Sequence, residues 1–253
     1  NNMDCSEEGQ FQAYKKVLEK MQGKRVVIRT LDVSEEPEIS QWRYGDRVNP
    51  AMGFRAIRFS LRRPDLFLTQ LRAILRASVY GKAAVLFPVV TSEEEVIKAK
   101  ALLQQARASL EAEGVPVADK IEIGIMIETP AAVILSDRLA SMVDFFSIGT
   151  NDLTQYILAT DRMNDSIASL YNPRHPAVLR MIDMTVANAK KHGIWTSICG
   201  ESAADAELLR FYLAMGVEEL SVAPSAVLEL RRIVRQTTLG KHKDRIIQKY
   251  CNG

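Results

Sequence analysis

Short apolar runs alternate with longer amphipathic segments along almost the whole chain, and this alternation constrains the fold more than any other feature. Each short run suits one buried strand, and each longer segment repeats apolar residues at the spacing of a helix face. The predicted strands are residues 25–31, 84–90, 121–127, 143–148, 194–199 and 219–222. Strands separated by helices form parallel sheets with right-handed crossovers. The sequence therefore predicts an α/β protein.

Helix boundary signals lie between the predicted strands. Ser92 and Glu95 have the spacing of a capping box. Thr129 and Pro130 suit the cap and the first residue of the next helix, and Pro64 suits the start of an earlier one. The strands and helices therefore follow one another in regular order.

The chain length suits a (β/α)8 TIM barrel, since 253 residues are close to the roughly 250 that this fold uses. Six predicted strands are two short of eight. We expect one more at residues 54–59 and the first strand before residue 1. The chain is thus expected to be a single barrel domain, residues 1–253, and a fragment of a longer multidomain protein.

Composition excludes several classes of protein. A hydrophobic content of 47% and a charged content of 25% are typical of a globular protein. The net charge of +2 is too small to indicate nucleic-acid binding, and no apolar run reaches the length that membrane insertion needs. Cys5, Cys199 and Cys251 lack metal-binding spacing. Free thiols and a cytoplasmic location are expected.

Polar side chains recur where the predicted strands end, and a barrel gathers these ends into one mouth. The residues are Arg29 and Asp32, Glu128, Asn151 and Asp152, and Cys199 with Glu201. Core packing does not require charged groups at these positions. The pattern predicts a ligand site.

Glu128 and Asp152 are candidate ligands of Mg²⁺, which takes one or two carboxylates together with water and substrate oxygens. Each carboxylate alone could instead only cap the helix that follows it. Two carboxylates at corresponding strand ends favour the metal interpretation.

Arginines supply candidate anion-binding groups, because the planar guanidinium donates two parallel hydrogen bonds to phosphate or carboxylate. Arg29 follows an apolar strand that is expected to draw its stem into the interior. Arg55 and Arg58 follow a long polar loop, and Arg162 follows the Asp152 helix. Backbone N–H groups at the helix start near Asn151 also favour an anion.

Cys199 ends an apolar strand and precedes Gly200 and Glu201. An isolated cysteine is most often a small buried apolar residue. At this mouth, its thiol could instead give a proton to a carbanion or enolate.

Several segments together closely resemble the phosphoenolpyruvate-binding domain of enzyme I of the bacterial sugar phosphotransferase system. The segments are VIRT at 27–30, NPAMGFRAIR at 49–58, QLRAILRAS at 70–78, GIMIETPAA at 124–132, DFFSIGTNDLTQY at 144–156 and CGE at 199–201. They cover nearly the whole chain in the expected order.

The resemblance implies a (β/α)8 barrel that binds phosphoenolpyruvate with Mg²⁺ and forms homodimers. It assigns the metal to Glu128 and Asp152. It assigns the phosphate to Asn151, Arg29 and Arg162, with Arg55 helping, and it also counts Asp152 among the substrate-binding residues. It also implies that Cys199 protonates the enolpyruvate carbon, and that the phosphoryl group passes to a histidine domain of the parent protein and then to a histidine-containing phosphocarrier protein.

The sequence departs from the family in three respects. Ser34-Glu35-Glu36-Pro37 stands where the family has Gly-Gly-Asp-Lys, and the added negative charge should weaken anion binding. Ser202 and Ala204 replace a usual leucine and a usual glycine. Two alternatives stay open, namely a pyruvate phosphate dikinase or phosphoenolpyruvate synthase barrel, and a catalytically silent dimerisation domain.

Overall fold

The computed structural model describes residues 6–32, 51–240 and 243–252. The chain divides into two compact units, Asn1–Ile125 and Met126–Gly253. The described strands are β1 (Val26–Arg29), β2 (Ala83–Phe87), β3 (Glu122–Ile127), β4 (Phe145–Gly149), β5 (Trp195–Cys199) and β6 (Glu219–Ser221). The described α-helices are α1 (Glu7–Lys20), α2 (Ile57–Arg62), α3 (Pro64–Ala77), α4 (Glu93–Ala112), α5 (Pro130–Ile134), α6 (Ser136–Leu139), α7 (Thr150–Ile157), α8 (Pro176–Lys191), α9 (Ala206–Met215), α10 (Val227–Gln236) and α11 (Lys243–Asn252).

In the first unit, β1, β2 and β3 pair in parallel. Ile28 lies opposite Val85, and Val85 lies opposite Ile123. All of β2 is buried, as expected for a strand that is covered on both faces. α4 begins with the predicted capping box, because the Ser92 hydroxyl accepts from the backbone of Glu95 while the Glu95 carboxylate accepts from the backbone of Ser92.

In the second unit, the last two residues of β3 are followed across the sheet by β4, β5 and β6 in that order. β4 and β5 pair in parallel, so that Gly149 lies opposite Cys199 at their carboxyl ends. At their amino ends, the rings of Phe145 and Trp195 stack with their centroids 4.2 Å apart. Helix α11 packs against α8 and α9. The β4–β5 pair therefore places its last residues side by side.

The strand expected at residues 54–59 is wrong, because Ile57–Arg62 is the helix α2. Backbone N–H groups there donate four residues back, from Ser60 to Ala56 and from Arg63 to Phe59, each at 2.9 Å. Ile57 and Phe59 alternate as in a strand, but Ser60 is buried beside them on the face that one helical turn brings together.

The six other predicted strands are confirmed, each within a few residues of its expected bounds. The α/β class with parallel strand pairs is also confirmed. The single domain over residues 1–253 stays a prediction. In the described part of the chain, no helix is long and apolar enough to cross a membrane.

Candidate functional site

The junction between β4 and α7 is the centre of the candidate site. The strand ends at Gly149 and the helix begins at Thr150, with no residue between them. Asn151 and Asp152 therefore lie in the first helical turn, where backbone N–H groups have no partner within the helix. This is the position that was predicted for them from the sequence.

Cys199 lies beside this junction, and its thiol has defined polar neighbours. The Ser147 hydroxyl donates to Sγ at 3.3 Å, and Sγ lies 3.4 Å from the carbonyl oxygen of Ile148, to which it donates. The residue is half-buried. The thiol is thus held by β4 at the end of β5 rather than packed as an apolar side chain.

The side chain of Asn151 has a fixed orientation. Its Oδ1 accepts a hydrogen bond from the backbone N–H of Glu201 at 3.0 Å. A backbone N–H can donate only to the amide oxygen, so the amino group is the opposite, donating end of the side chain. Gly200 permits this contact with a φ of +105°, and a Cβ there would lie 2.8 Å from Asn151 Oδ1.

Glu128, directly after β3, and Asp152, in the first turn of α7, are buried carboxylates with exposed fractions of 3% and 9%. A buried carboxylate needs a charged or donating partner. Gly149 packs closely on Glu128, since a Cβ at Gly149 would lie 2.8 Å from Glu128 Oε2. Among the described residues, no three His, Cys, Asp or Glu side chains form a metal cluster. Two buried carboxylates nevertheless fit Mg²⁺, which takes its other oxygens from water and substrate.

Arg162 and Tyr171 border the same junction. The Tyr171 hydroxyl donates to the Asn151 carbonyl at 3.5 Å, and the Arg162 backbone donates to Gln155 Oε1 at 3.2 Å. Burial raises the pKa of Tyr171, and the negative charge of Asp152 acts in the same direction, whereas the positive charge of Arg162 lowers it. The charges of Arg162 and Asp152 therefore both act on one phenol. Sequence analysis missed Tyr171, which carries no motif signal.

Arg29 and Arg55 lie in the first unit and share one carboxylate. Arg55 forms a two-point pair with Asp32, at 2.9 Å from Nε and 2.7 Å from Nη2, and Arg29 reaches the same carboxylate at 3.2 Å. The Asp32 side chain is only 4% exposed. The sequence placed Asp32 at the strand end but gave it no role.

The burial expected of Arg29 is wrong, because its side chain is 49% exposed. It is the last residue of β1 and follows the buried Ile28, so the alternation of the strand directs it away from the core. Of the other sequence features, the loop Ser34–Pro37 and Asn49-Pro50 lie outside the described residues. The predicted residues thus form two described groups, with Glu128, Asn151, Asp152, Arg162 and Cys199 in the second unit and Arg29 and Arg55 in the first.

Comparison with known proteins identifies relatives over most of the chain. A family model described as "PEP-utilising enzyme, PEP-binding domain" matches residues 2–239. The phosphoenolpyruvate-protein phosphotransferase of Staphylococcus carnosus is 46% identical over 239 residues, which are 94% of this chain and 42% of the relative. That of Priestia megaterium is 45% identical over 245 residues, 96% of this chain and 43% of the relative. The resemblance drawn from the motifs is confirmed by these matches, although the chain spans less than half the length of the relatives.

Solved structures support the fold alone. A malate synthase of Haloferax volcanii has a TM-score of 0.59 and 14% identity, and covers 90% of this chain and 60% of its own. A citrate lyase of Burkholderia xenovorans has a TM-score of 0.50 and 18% identity, and covers 66% of this chain and 53% of its own.

Proposed function

The chain belongs to the family of PEP-binding domains of PEP-utilising enzymes, and we propose on this premise that it binds phosphoenolpyruvate and supports phosphoryl transfer to a histidine of another domain, releasing pyruvate. This reaction is the first step of the sugar phosphotransferase system. The observation that carries the proposal is the β4–α7 junction, where an oriented amide, a buried carboxylate and a held thiol occur together.

The phosphate would be bound by hydrogen-bond donors. Asn151 offers its amino group, because its oxygen already accepts from Glu201. Arg162 would add a guanidinium, and the proposal extends the phosphate site to Arg29 and Arg55, which share Asp32. Hydrogen bonds between guanidinium and phosphate are charge-assisted and stronger than neutral ones.

Glu128 and Asp152 are the residues that would hold Mg²⁺. A bound Mg²⁺ would neutralise phosphate charge and orient the phosphate oxygens. The pair suits this task because both carboxylates are buried and Gly149 leaves room for Glu128 Oε2. Asp152 would thereby contact both the metal and the substrate site.

The chemical step leaves one proton to be supplied. As the histidine nitrogen bonds to phosphorus, the bond between phosphorus and the enol oxygen breaks and its electron pair stays on that oxygen. The methylene carbon of the enolate then takes the proton of the Cys199 thiol, which yields pyruvate and a thiolate. The thiolate regains a proton from water, to which the half-buried Cys199 has access.

The parent protein and its assembly are part of the proposal. We propose a (β/α)8 barrel whose two further strands lie outside the six described here, with residues 1–253 as one domain. We also propose a homodimer in the cytoplasm. The histidine domain of the parent protein would receive the phosphoryl group and pass it to a histidine-containing phosphocarrier protein.

Replacement of Cys199 tests the chemistry in the complete protein. Cys199→Ala should lower pyruvate formation by at least about 100-fold, the usual contribution of a positioned acid. Binding of phosphoenolpyruvate should persist. Cys251→Ser is the matched control, since Cys251 is a buried thiol on α11. Undiminished pyruvate formation by Cys199→Ala would exclude the acid role. Pyruvate formation that requires AMP together with phosphate or pyrophosphate would favour the dikinase alternative.

A further inference from the structure

Three hydroxyl groups form a continuous hydrogen-bonded chain that ends at Cys199. The Tyr212 hydroxyl donates to Ser202 Oγ at 2.9 Å, and Ser202 donates to Thr150 Oγ1 at 2.7 Å. Thr150 then donates to the carbonyl oxygen of Cys199 at 2.9 Å. The three hydroxyls are named here the hydroxyl relay.

The hydroxyl relay is buried and has a single direction. Thr150, Ser202 and Tyr212 have exposed fractions of 1%, 4% and 1%. Each hydroxyl has one proton, and the final acceptor is a carbonyl, which has none to give. The three protons must therefore all point toward Cys199. Aligned hydrogen bonds of this kind polarise and strengthen one another in a buried environment.

The relay joins three segments that meet at the candidate site. Tyr212 lies on α9, Thr150 is the first residue of α7, and Ser202 lies in the 3₁₀ turn that follows Gly200. A Cβ at Gly200 would lie 2.6 Å from Thr150 Oγ1, which shows how closely the turn approaches the start of α7.

Two hydrogen bonds anchor the backbone on either side of Gly200. Thr150 holds the Cys199 carbonyl on one side of Gly200, and Asn151 Oδ1 holds the Glu201 N–H on the other. A shift of this turn would move the thiol of Cys199 and would rotate the amide of Asn151.

Ser202 is the central member of the hydroxyl relay. It accepts from Tyr212 and donates to Thr150 while it is only 4% exposed. An apolar side chain at this position could do neither.

We propose that Ser202 is a positioning residue, which acts with Tyr212 and Thr150 to fix the Cys199–Gly200–Glu201 turn against α7 and thereby orients the Cys199 thiol and the Asn151 amide. The effect on turnover rests on the proposed function, whereas the effect on the thiol does not.

The test uses the alkylation rate of Cys199 by iodoacetamide in the full-length protein, resolved by mass spectrometry. Cys251, a buried thiol on α11, is the internal reference. Thr150→Val removes the bond to the Cys199 carbonyl and should raise the alkylation rate of Cys199 about fivefold. Loss of one ordinary hydrogen bond should raise the population of the released turn by about that factor. Ser202→Ala should give a smaller increase and Tyr212→Phe the smallest, because each removed bond is one step further from Cys199.

Two controls separate positioning from loss of stability. Thr150→Ser keeps the hydroxyl and should restore the wild-type rate. Thr185→Val removes another buried threonine hydroxyl, which donates to the Met181 carbonyl on α8, and should leave the Cys199 rate unchanged. In turnover assays, Ser202→Ala should lower kcat more than it raises KM.

The outcomes distinguish the two proposals. Equal alkylation rates of Cys199 in wild type, Thr150→Val and Ser202→Ala would overturn the relay. So would alkylation rates that follow the melting temperature across all variants, Thr185→Val included. If Ser202→Ala does not fold, Thr150→Val and Tyr212→Phe decide the question. A graded change in thiol reactivity without any turnover of phosphoenolpyruvate by the wild type would support the relay and contradict the proposed function.

Discussion

The side-chain oxygen of Asn151 accepts the backbone N–H of Glu201 at 3.0 Å. This bond joins the first turn of α7 to the turn that follows β5, and it gives the amide of Asn151 one orientation. The donating end of the side chain is left for an anion. The relationship links the structure of the turn directly to the proposed phosphate site.

Asn151→Asp should weaken phosphoenolpyruvate binding and leave the fold intact. An aspartate keeps an oxygen for the Glu201 N–H, but it replaces the amino donor with a negative charge. Loss of one hydrogen bond to a charged group predicts about a 10- to 100-fold rise in Kd, measured by calorimetry. Asn188→Asp on α8 is the control, and its Kd should not change. Equal affinities for Asn151→Asp and wild type would remove Asn151 from the site.

Glu128→Gln should remove the magnesium dependence of phosphoenolpyruvate binding. Glutamine has a similar shape but lacks the charge that a hard cation requires. The gain in affinity on adding Mg²⁺ should fall by more than about tenfold, the loss caused even by residues that contact a metal indirectly. The exposed Glu218→Gln should keep the full gain. An unchanged gain in Glu128→Gln would show that the carboxylate does not hold the metal.

Gly149→Ala should disturb the site more than it disturbs the fold. The new Cβ would lie 2.8 Å from Glu128 Oε2 and 3.1 Å from the sulfur of Met126, so the carboxylate must move. We expect a stability loss of about 1–3 kcal/mol, typical of overpacking, and loss of magnesium-dependent binding.

The matched control is Gly81→Ala, where a Cβ would lie 3.1–3.3 Å from Leu18. This variant should lose stability but bind normally. If both variants bind equally well, the close packing of Gly149 on Glu128 has no role in the site.

Asp183 should reduce stability at neutral pH. Burial raises the pKa of its carboxyl, and the charge of Lys190 only partly opposes this. The folded state therefore favours the protonated carboxyl. Protonation stabilises the folded state fully below the unfolded pKa of about 3.9, and this stabilisation is lost as the pH rises through the folded pKa. Asp183→Asn should accordingly melt at a higher temperature than wild type at pH 7, with a difference that shrinks toward pH 4.

Asp65→Asn is the control of opposite sign. The hydrogen bond from Arg63 lowers the pKa of Asp65, so its ionised form favours folding above the unfolded pKa, and that contribution is lost as pH falls. This variant should gain nothing at pH 7. A melting temperature of Asp183→Asn equal to that of wild type at pH 7 would contradict the assigned cause.

The sequence predicted the elements whose signals are local. The strands were marked by short buried runs and the helix starts by side chains such as Ser92, because burial and capping act within a few residues. The helix at Ile57–Arg62 was mistaken for a strand, since over so short a segment an apolar alternation does not distinguish the two periods. The exposure of Arg29 follows from the alternation along β1, which turns Ile28 and not Arg29 toward the core.

The contacts that orient the site could not be predicted in the same way. Ser147 meets Cys199 only because β4 and β5 pair in one register, and the two residues are 52 positions apart. The hydroxyl relay likewise joins Thr150 to Ser202 across 52 positions. Such pairs leave no periodic pattern in the sequence. The motifs therefore identified the residues, and the structure supplied their partners.

Calorimetric titration of the 253-residue chain with phosphoenolpyruvate, in excess Mg²⁺ and again after chelation of the metal, tests the central claim most directly. The account predicts saturable binding with Mg²⁺ that weakens more than about tenfold without it, as expected when two carboxylates and a phosphate share one cation. No binding under either condition, or the same affinity in both, would contradict it.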